Sequence, residues 1–121
     1  MSPKDIVQSY YDSLIRKDNK WQDLWAADAV FADASGSLNA QGKAAVIQSF
    51  IPFIKGVAGL KIKQMIIEGD DVCVIVSYDY VNSKGDRLNQ DDAEVWNVKD
   101  GKLAKLILYF DITAYRSFIR A

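Results

Sequence analysis

The hydrophobic pattern of this chain changes period once, at about Leu60, and that change limits what it can fold into. Before it, apolar residues recur at helical spacing: Ile6, Val7, Tyr10 and Leu14, widened by Tyr11 and Ile15. A second stripe carries Val46, Ile47 and Phe50 with Phe53 or Ile54. After it the period is that of strands, in four segments at about 60–68, 71–82, 87–98 and 102–112. The breaks are Gly69-Asp70, Ser83-Lys84-Gly85-Asp86 and Asp100-Gly101. Asp-Gly suits a type I′ hairpin turn, which needs positive φ at both central residues. Helices followed by an antiparallel meander is an α+β order, not alternating βαβ. The 121 residues are expected to form one domain over 1–121, long enough to bury a core.

Local signals place the remaining elements. Ser2-Pro3 reads as N-cap and first turn of a helix, with Asp5 near its positive end. A short helix is predicted over about Trp21 to Ala27, and a short strand over Val30-Phe31-Ala32-Asp33. Gly42 precedes a helix over about Lys43 to Ile54, in which Pro52 predicts a kink or an early end. Thr113 to Arg120 is expected to be helical and to pack back on the domain.

Charge and composition remove several function classes. A formal net charge of −1 offers no broad basic field for nucleic acid. The small cluster Lys55, Lys61 and Lys63 reads as a solvated strand edge. No apolar run approaches the roughly 20 residues that a membrane span needs, so no membrane partner is expected. No secretory signal is visible, and a cytoplasmic location is expected. Cys73 is the sole cysteine and reads as a buried core thiol in the run 72–76. Histidine is absent, so proton transfer falls to carboxylates, tyrosine or lysine, and neither a metal nor another cofactor is expected.

A two-residue turn at Asp100-Gly101 predicts the pairs Val98–Leu103, Asn97–Ala104, Val95–Leu106 and Ala93–Leu108. One sheet face then carries Ala93, Val95, Asn97, Ala104, Leu106, Leu108 and Phe110 and is expected to line a cavity under the helices. The other carries Asp92, Glu94, Trp96, Val98, Leu103, Lys105, Ile107, Tyr109 and Asp111. Its mix of aromatics and charge suits a partly covered surface, and a homodimer through Trp96 and Tyr109 is expected.

Several segments resemble one family in order along nearly the whole chain. Val7-Gln8-Ser9-Tyr10-Tyr11-Asp12-Ser13-Leu14 with Asp18 resembles the first helix of the ketosteroid isomerase/SnoaL-like group, also called nuclear transport factor 2-like. The run 25–33, the glycine opening 42–46, the hairpin 94–103 and Tyr109-Phe110-Asp111 resemble its later segments. The resemblance implies a curved mixed or antiparallel sheet wrapped around N-terminal helices, a cone enclosing an apolar pocket. It does not fix an activity, because such folds host many.

Ketosteroid isomerases use an aspartate base with a tyrosine and a protonated aspartic acid as oxyanion donors. By that resemblance Tyr10 matches the tyrosine and Asp33 the base. The protonated acid falls on Ala93 without a gap, or on Glu94 if a one-residue bulge intervenes. Phe50 stands where a supporting tyrosine would be. The implied function is binding of a small apolar oxygenated ligand, with Tyr10 and Asp33 as catalytic groups of a metal-free isomerase, cyclase or hydrolase type. Trp25, Phe50, Ala93, Val95, Leu106, Leu108 and Phe110 would touch substrate. The alternative is a non-catalytic binding or accessory module of the same fold. From the residues alone, Asp33 reads equally as a turn cap, and Asp111 as the cap of the last helix.

Overall fold

In the computed structural model, which describes residues 1–120, the first stretch forms helix α1, Pro3–Arg16. Ser2 and Asp5 build a capping box, each side chain bonded to the other's backbone amide, and Lys17 ends the helix in a left-handed conformation. Ile6, Val7, Tyr10, Tyr11 and Leu14 form its buried face. A 3₁₀ turn over Lys20–Leu24 then leads directly into strand β1, Trp25–Asp33. The helix expected to reach Ala27 is therefore one short turn. Trp25 and the alanines after it pair in the sheet instead, because β1 lies parallel to a strand distant in sequence.

A three-residue strand β2, Asn39–Gln41, precedes helix α2, Lys43–Lys55. Pro52 lies within α2 without ending it; its ring is exposed, where a lost backbone hydrogen bond costs little. Strands β3 (Val57–Glu68), β4 (Asp71–Val81), β5 (Arg87–Lys99) and β6 (Lys102–Tyr109) form the expected meander. Helix α3, Ile112–Arg120, follows, capped by Asp111, whose Oδ1 accepts from the Ala114 amide at 3.0 Å. The sheet order is β2-β1-β6-β5-β4-β3, antiparallel except for β1 on β6. It is an open mixed sheet curved about α1 and α2, an α+β cone.

The register of the last hairpin departs from the simple extrapolation. Lys99 faces Lys102 and Val98 faces Leu103, but the next pair is Asn97 with Lys105. Ala104 is thus an extra residue on β6, a one-residue bulge. Relative to inward Leu106 and Leu108, every β5 side chain therefore faces the side opposite to the expected one, Val98 with its partner Leu103 included, since side chains alternate. Asp92, Glu94, Trp96 and Val98 point inward, at 1%, 2%, 0% and 4% exposure. Ala93 and Val95, expected in the cavity, lie half-buried on the outer face with Ile107 and exposed Tyr109. Trp96, expected on the dimer face, is core. On β6 itself Leu106 and Leu108 do face inward.

The same parity moves Cys73. Val72, Val74 and Val76 are fully buried, while Cys73 and Ile75 sit half-buried on the outer face. The Lys61 and Lys63 side chains lie exposed on edge strand β3, and Lys63 Nζ pairs with Asp91 Oδ2 at 2.8 Å. Among the described residues no helix is long and apolar enough to cross a membrane, and no cluster of His, Cys, Asp or Glu could hold a metal.

Candidate active site

Between the inner sheet face and the helices lies a cavity of about 260 Å³. This is slightly below the range of about 300–1,000 Å³ usual for small-molecule sites, so its occupant is small. Its lining includes Leu106 and Leu108 of β6, Phe110 just after that strand, and Glu94 on β5. Phe31 of β1 and Phe50, Phe53 and Ser49 of α2 form one wall, and Tyr10 of α1 closes the inner end. Leu38 and Asn39, with Tyr115 and Ile119 of α3, complete the lining. No lysine or arginine lines it. The surface is therefore nearly all hydrocarbon and aromatic ring, with polarity concentrated at a few points.

The principal one is Glu94. Tyr11 donates to its Oε1 at 2.5 Å, and the Tyr78 hydroxyl lies 3.0 Å from both carboxyl oxygens. Trp96 Nε1 donates in turn to the Tyr11 hydroxyl at 2.9 Å. Helix α1, strand β4 and strand β5 thus each contribute to holding one carboxyl in place. Burial raises its pKa and the Tyr11 and Tyr78 hydrogen bonds restrain the rise, leaving it at about 7. A carboxyl poised there can give or take a proton near neutrality. The bulge at Ala104 puts it there, so of the two positions the sequence allowed for the inner acid, Glu94 holds it and Ala93 does not.

Tyr10 also lines the cavity, and its hydroxyl makes no hydrogen bond to another described residue. Its ring is fixed among aromatics, 4.8 Å from Trp96, 5.1 Å from Tyr11 and 6.4 Å from Phe50, measured between centroids. Burial, and then the Glu94 charge, push its pKa well above 10, so it stays a hydrogen-bond donor. Tyr11, which sequence reasoning treated only as helix stripe, is the group that grips Glu94. Its spacing from Val7 and Leu14 on the buried helix face was legible; its partner 83 residues away was not.

Asp33 does not join this group. It ends β1 on the inward side, paired with Leu108, but its carboxylate serves the turn to β2. Oδ1 accepts from the Leu38 amide at 2.7 Å, and Oδ2 from the Ser35 amide at 3.0 Å and the Ser35 hydroxyl. Burial raises its pKa, but these hydrogen bonds, aided by the Arg116 charge, outweigh it and hold the carboxyl below its ordinary value. The expected general base is a turn cap that stays ionised, and it is not among the cavity walls. Trp25, expected to touch substrate, is 1% exposed behind Phe50, with ring centroids 5.3 Å apart, and belongs to the core.

A second buried carboxyl follows Glu94 on the inner face. Tyr80 donates to Asp92 Oδ2 at 3.1 Å. Burial, reinforced by Glu94, pushes Asp92 up to about 8, against the pull of the Tyr80 hydrogen bond.

An open sheet curved around helices, with an acid and a phenol facing an apolar hollow, defines the nuclear transport factor 2-like class of α+β cones. A sequence profile sharpens this, matching residues 7–106: the chain belongs to the SnoaL-like domain family. Solved structures agree on the fold. TerC, crystallised with polyporic acid, superposes with a TM-score of 0.82 at 18% identity, over 98% of both chains. A nuclear transport factor 2-like protein of unknown function from Burkholderia pseudomallei K96243 gives 0.85 at 18%, over 100% of both. A candidate SnoaL-like polyketide cyclase from Jannaschia sp. CCS1 gives 0.84 at 16%, over 98% of this chain and 92% of the other. Identities this low speak for the fold alone. No curated protein matches the chain in sequence.

Proposed function

We propose that this protein binds a small, uncharged, mainly apolar molecule bearing a carbonyl or hydroxyl, and moves a proton on it with Glu94. The observation that carries the reading is the Glu94 carboxyl, 2% exposed and held by two phenols, on the wall of a cavity lined by no cation. An anionic ligand would meet no countercharge there and would lose its hydration. A neutral ketone keeps its rings among Phe31, Phe50 and Phe110 and needs only a donor for its oxygen. Tyr10 supplies that donor. Ionised Glu94 removes a proton from the carbon beside the carbonyl, Tyr10 stabilises the enolate oxygen, and Glu94 returns the proton. In this reading Glu94 takes over the role that the sequence suggested for Asp33.

The test uses 2-tetralone deuterated beside its carbonyl. The protein is expected to accelerate loss of deuterium to water, followed by NMR, and Glu94→Gln to abolish the acceleration. Thermal stabilisation by 2-tetralone or 2-naphthol without any acceleration would favour the rival, a binding module of the same fold. Absence of both stabilisation and exchange would overturn the proposal.

The uncovered side of the sheet supports a second reading, a homodimer. Ile66 and Tyr109, 52% and 48% exposed, share that face with half-buried Ile75, Val95 and Ile107. A two-fold pairing of this face would bury the apolar strip against its own copy and leave Lys63, Asp91 and Lys105 at the margin. Val95→Arg is expected to halve the mass measured by light scattering; an unchanged mass would count against it.

A further inference from the structure

Two buried acceptors behind one wall of the cavity lack a partner. Asp92 Oδ1 and Gln90 Oε1 are both fully enclosed, and neither receives a hydrogen bond from a described residue. Asp92 itself is 1% exposed. Leaving such an atom unpaired forfeits its hydration without return, so a chain that keeps two of them invites an explanation. Gln90 and Asp92 are one alternation step apart on β5, and Asp92 and Glu94 are the next step. All three therefore run along the inner sheet face, with Glu94 in the cavity and the other two continuing past its end.

Of the cavity rings that pack on Tyr80, the partner of Asp92, Tyr115 is nearer than Phe53. Its ring is a cavity wall and packs against Tyr80 at 5.1 Å and Phe53 at 6.2 Å. The Tyr80 hydroxyl is the one that reaches Asp92 Oδ2. Tyr115 is carried by α3, in which no residue is fully buried. That helix is held to the body by ring contacts and by single bonds such as Asn82 Nδ2 to the Phe118 carbonyl, 3.1 Å. An element fastened this lightly yields more readily than the sheet beneath it.

We propose that Asp92, with Gln90 beside it, is a second polar subsite, reached when Tyr115 turns aside, that receives a second oxygen function on the ligand. The inference rests on the cavity being the ligand site, and it narrows the ligand to molecules with two oxygens at opposite ends. Two residues along a strand span about 6.6 Å, so the second oxygen stands roughly 7 Å from the part of the ligand that faces Glu94. A hydroxyl suits the place best, since it can donate to the unpaired oxygen or accept from the carboxyl when that is protonated.

The experiment compares 2-naphthol with 2,6- and 2,7-dihydroxynaphthalene by equilibrium binding to the whole chain, in the wild type, Glu94→Gln and Asp92→Leu. At least one diol is expected to bind about tenfold tighter than 2-naphthol, the gain of one well-placed buried hydrogen bond. Asp92→Leu is expected to erase that gain and leave the 2-naphthol affinity within about twofold. Leucine fills similar space and removes an unpaired acceptor, and the variant is made together with Tyr80→Phe so that no Tyr80 hydroxyl is left without its acceptor. If it does not fold, the wild-type comparison carries the test. Wild-type diols no tighter than 2-naphthol, or a gain that survives loss of the Asp92 carboxyl, would overturn the subsite while 2-naphthol binding leaves the main cavity standing. Absence of 2-naphthol binding, or binding indifferent to Glu94→Gln, would remove both.

Discussion

Replacing Glu94 with glutamine should change the pH dependence of stability more than stability itself. The folded pKa is about 7 against an ordinary 4.5, because burial opposes the charged form more than Tyr11 and Tyr78 support it. The native state therefore keeps a proton that the unfolded chain has already released between those two values. Stability contributed by the protonated acid is intact below about pH 4.5 and is lost as pH rises through about 7. At about 1.36 kcal/mol per pH unit over that interval, the wild type loses about 3 kcal/mol that a neutral amide does not. The amide oxygen still accepts from Tyr11 and Tyr78. Glu94→Gln is thus expected within about 1 kcal/mol of wild type at pH 5 and about 2–3 kcal/mol more stable at pH 9. Loss of the Glu94 charge also eases ionisation of Asp92, which acts in the same direction. Urea unfolding at the two pH values reads this as a midpoint gap opening to about 1–2 M. A gap that stays constant with pH, or a variant weaker at pH 9, would mean that Glu94 ionises at no cost in the folded protein, and its role as a poised acid would fail.

Three further outcomes follow from the geometry. Asp33→Asn should cost about 1–2 kcal/mol, because one amide oxygen cannot replace two carboxylate oxygens serving Ser35 and Leu38, yet 2-naphthol should bind within about twofold of wild type. A loss of binding without loss of stability would restore Asp33 to the site. Deleting Ala104 removes the residue that the β5 pairing skips and leaves the pairs Val98–Leu103, Asn97–Lys105 and Trp96–Leu106 in place, so circular dichroism should still show cooperative unfolding; loss of folding would refute the register argument. Trp96→Arg places a charge at a position of 0% exposure and should abolish folding; a folded, smaller species in solution would contradict its place in the core.

Much of the fold was readable before any coordinates, because it rests on local rules. The capping box at Ser2 and Asp5, the glycine before α2, and the turns at Gly69-Asp70 and Asp100-Gly101 mark element ends through backbone chemistry within a few residues. The cavity was less readable. Leu106, Leu108 and Phe110 could be assigned inward from alternation on their own strand, whereas Ala93 and Val95 inherited an error through the pairing. Strand β2 and the parallel contact of β1 with β6 have no local signature, since parallel partners are distant in sequence.

The decisive difference is one residue. By itself the sequence determined that helices come first, that four strands follow as a meander, and that an acid, a phenol and a row of aromatics are present without histidine. It could not choose between a face of Ala93, Val95 and Asn97 and one of Asp92, Glu94 and Trp96, since alternation serves both equally. The tertiary structure chose the second: burying Trp96 gains a large apolar area, and Tyr11, Tyr78 and Tyr80, from α1 and β4, meet the carboxyls that come inside with it.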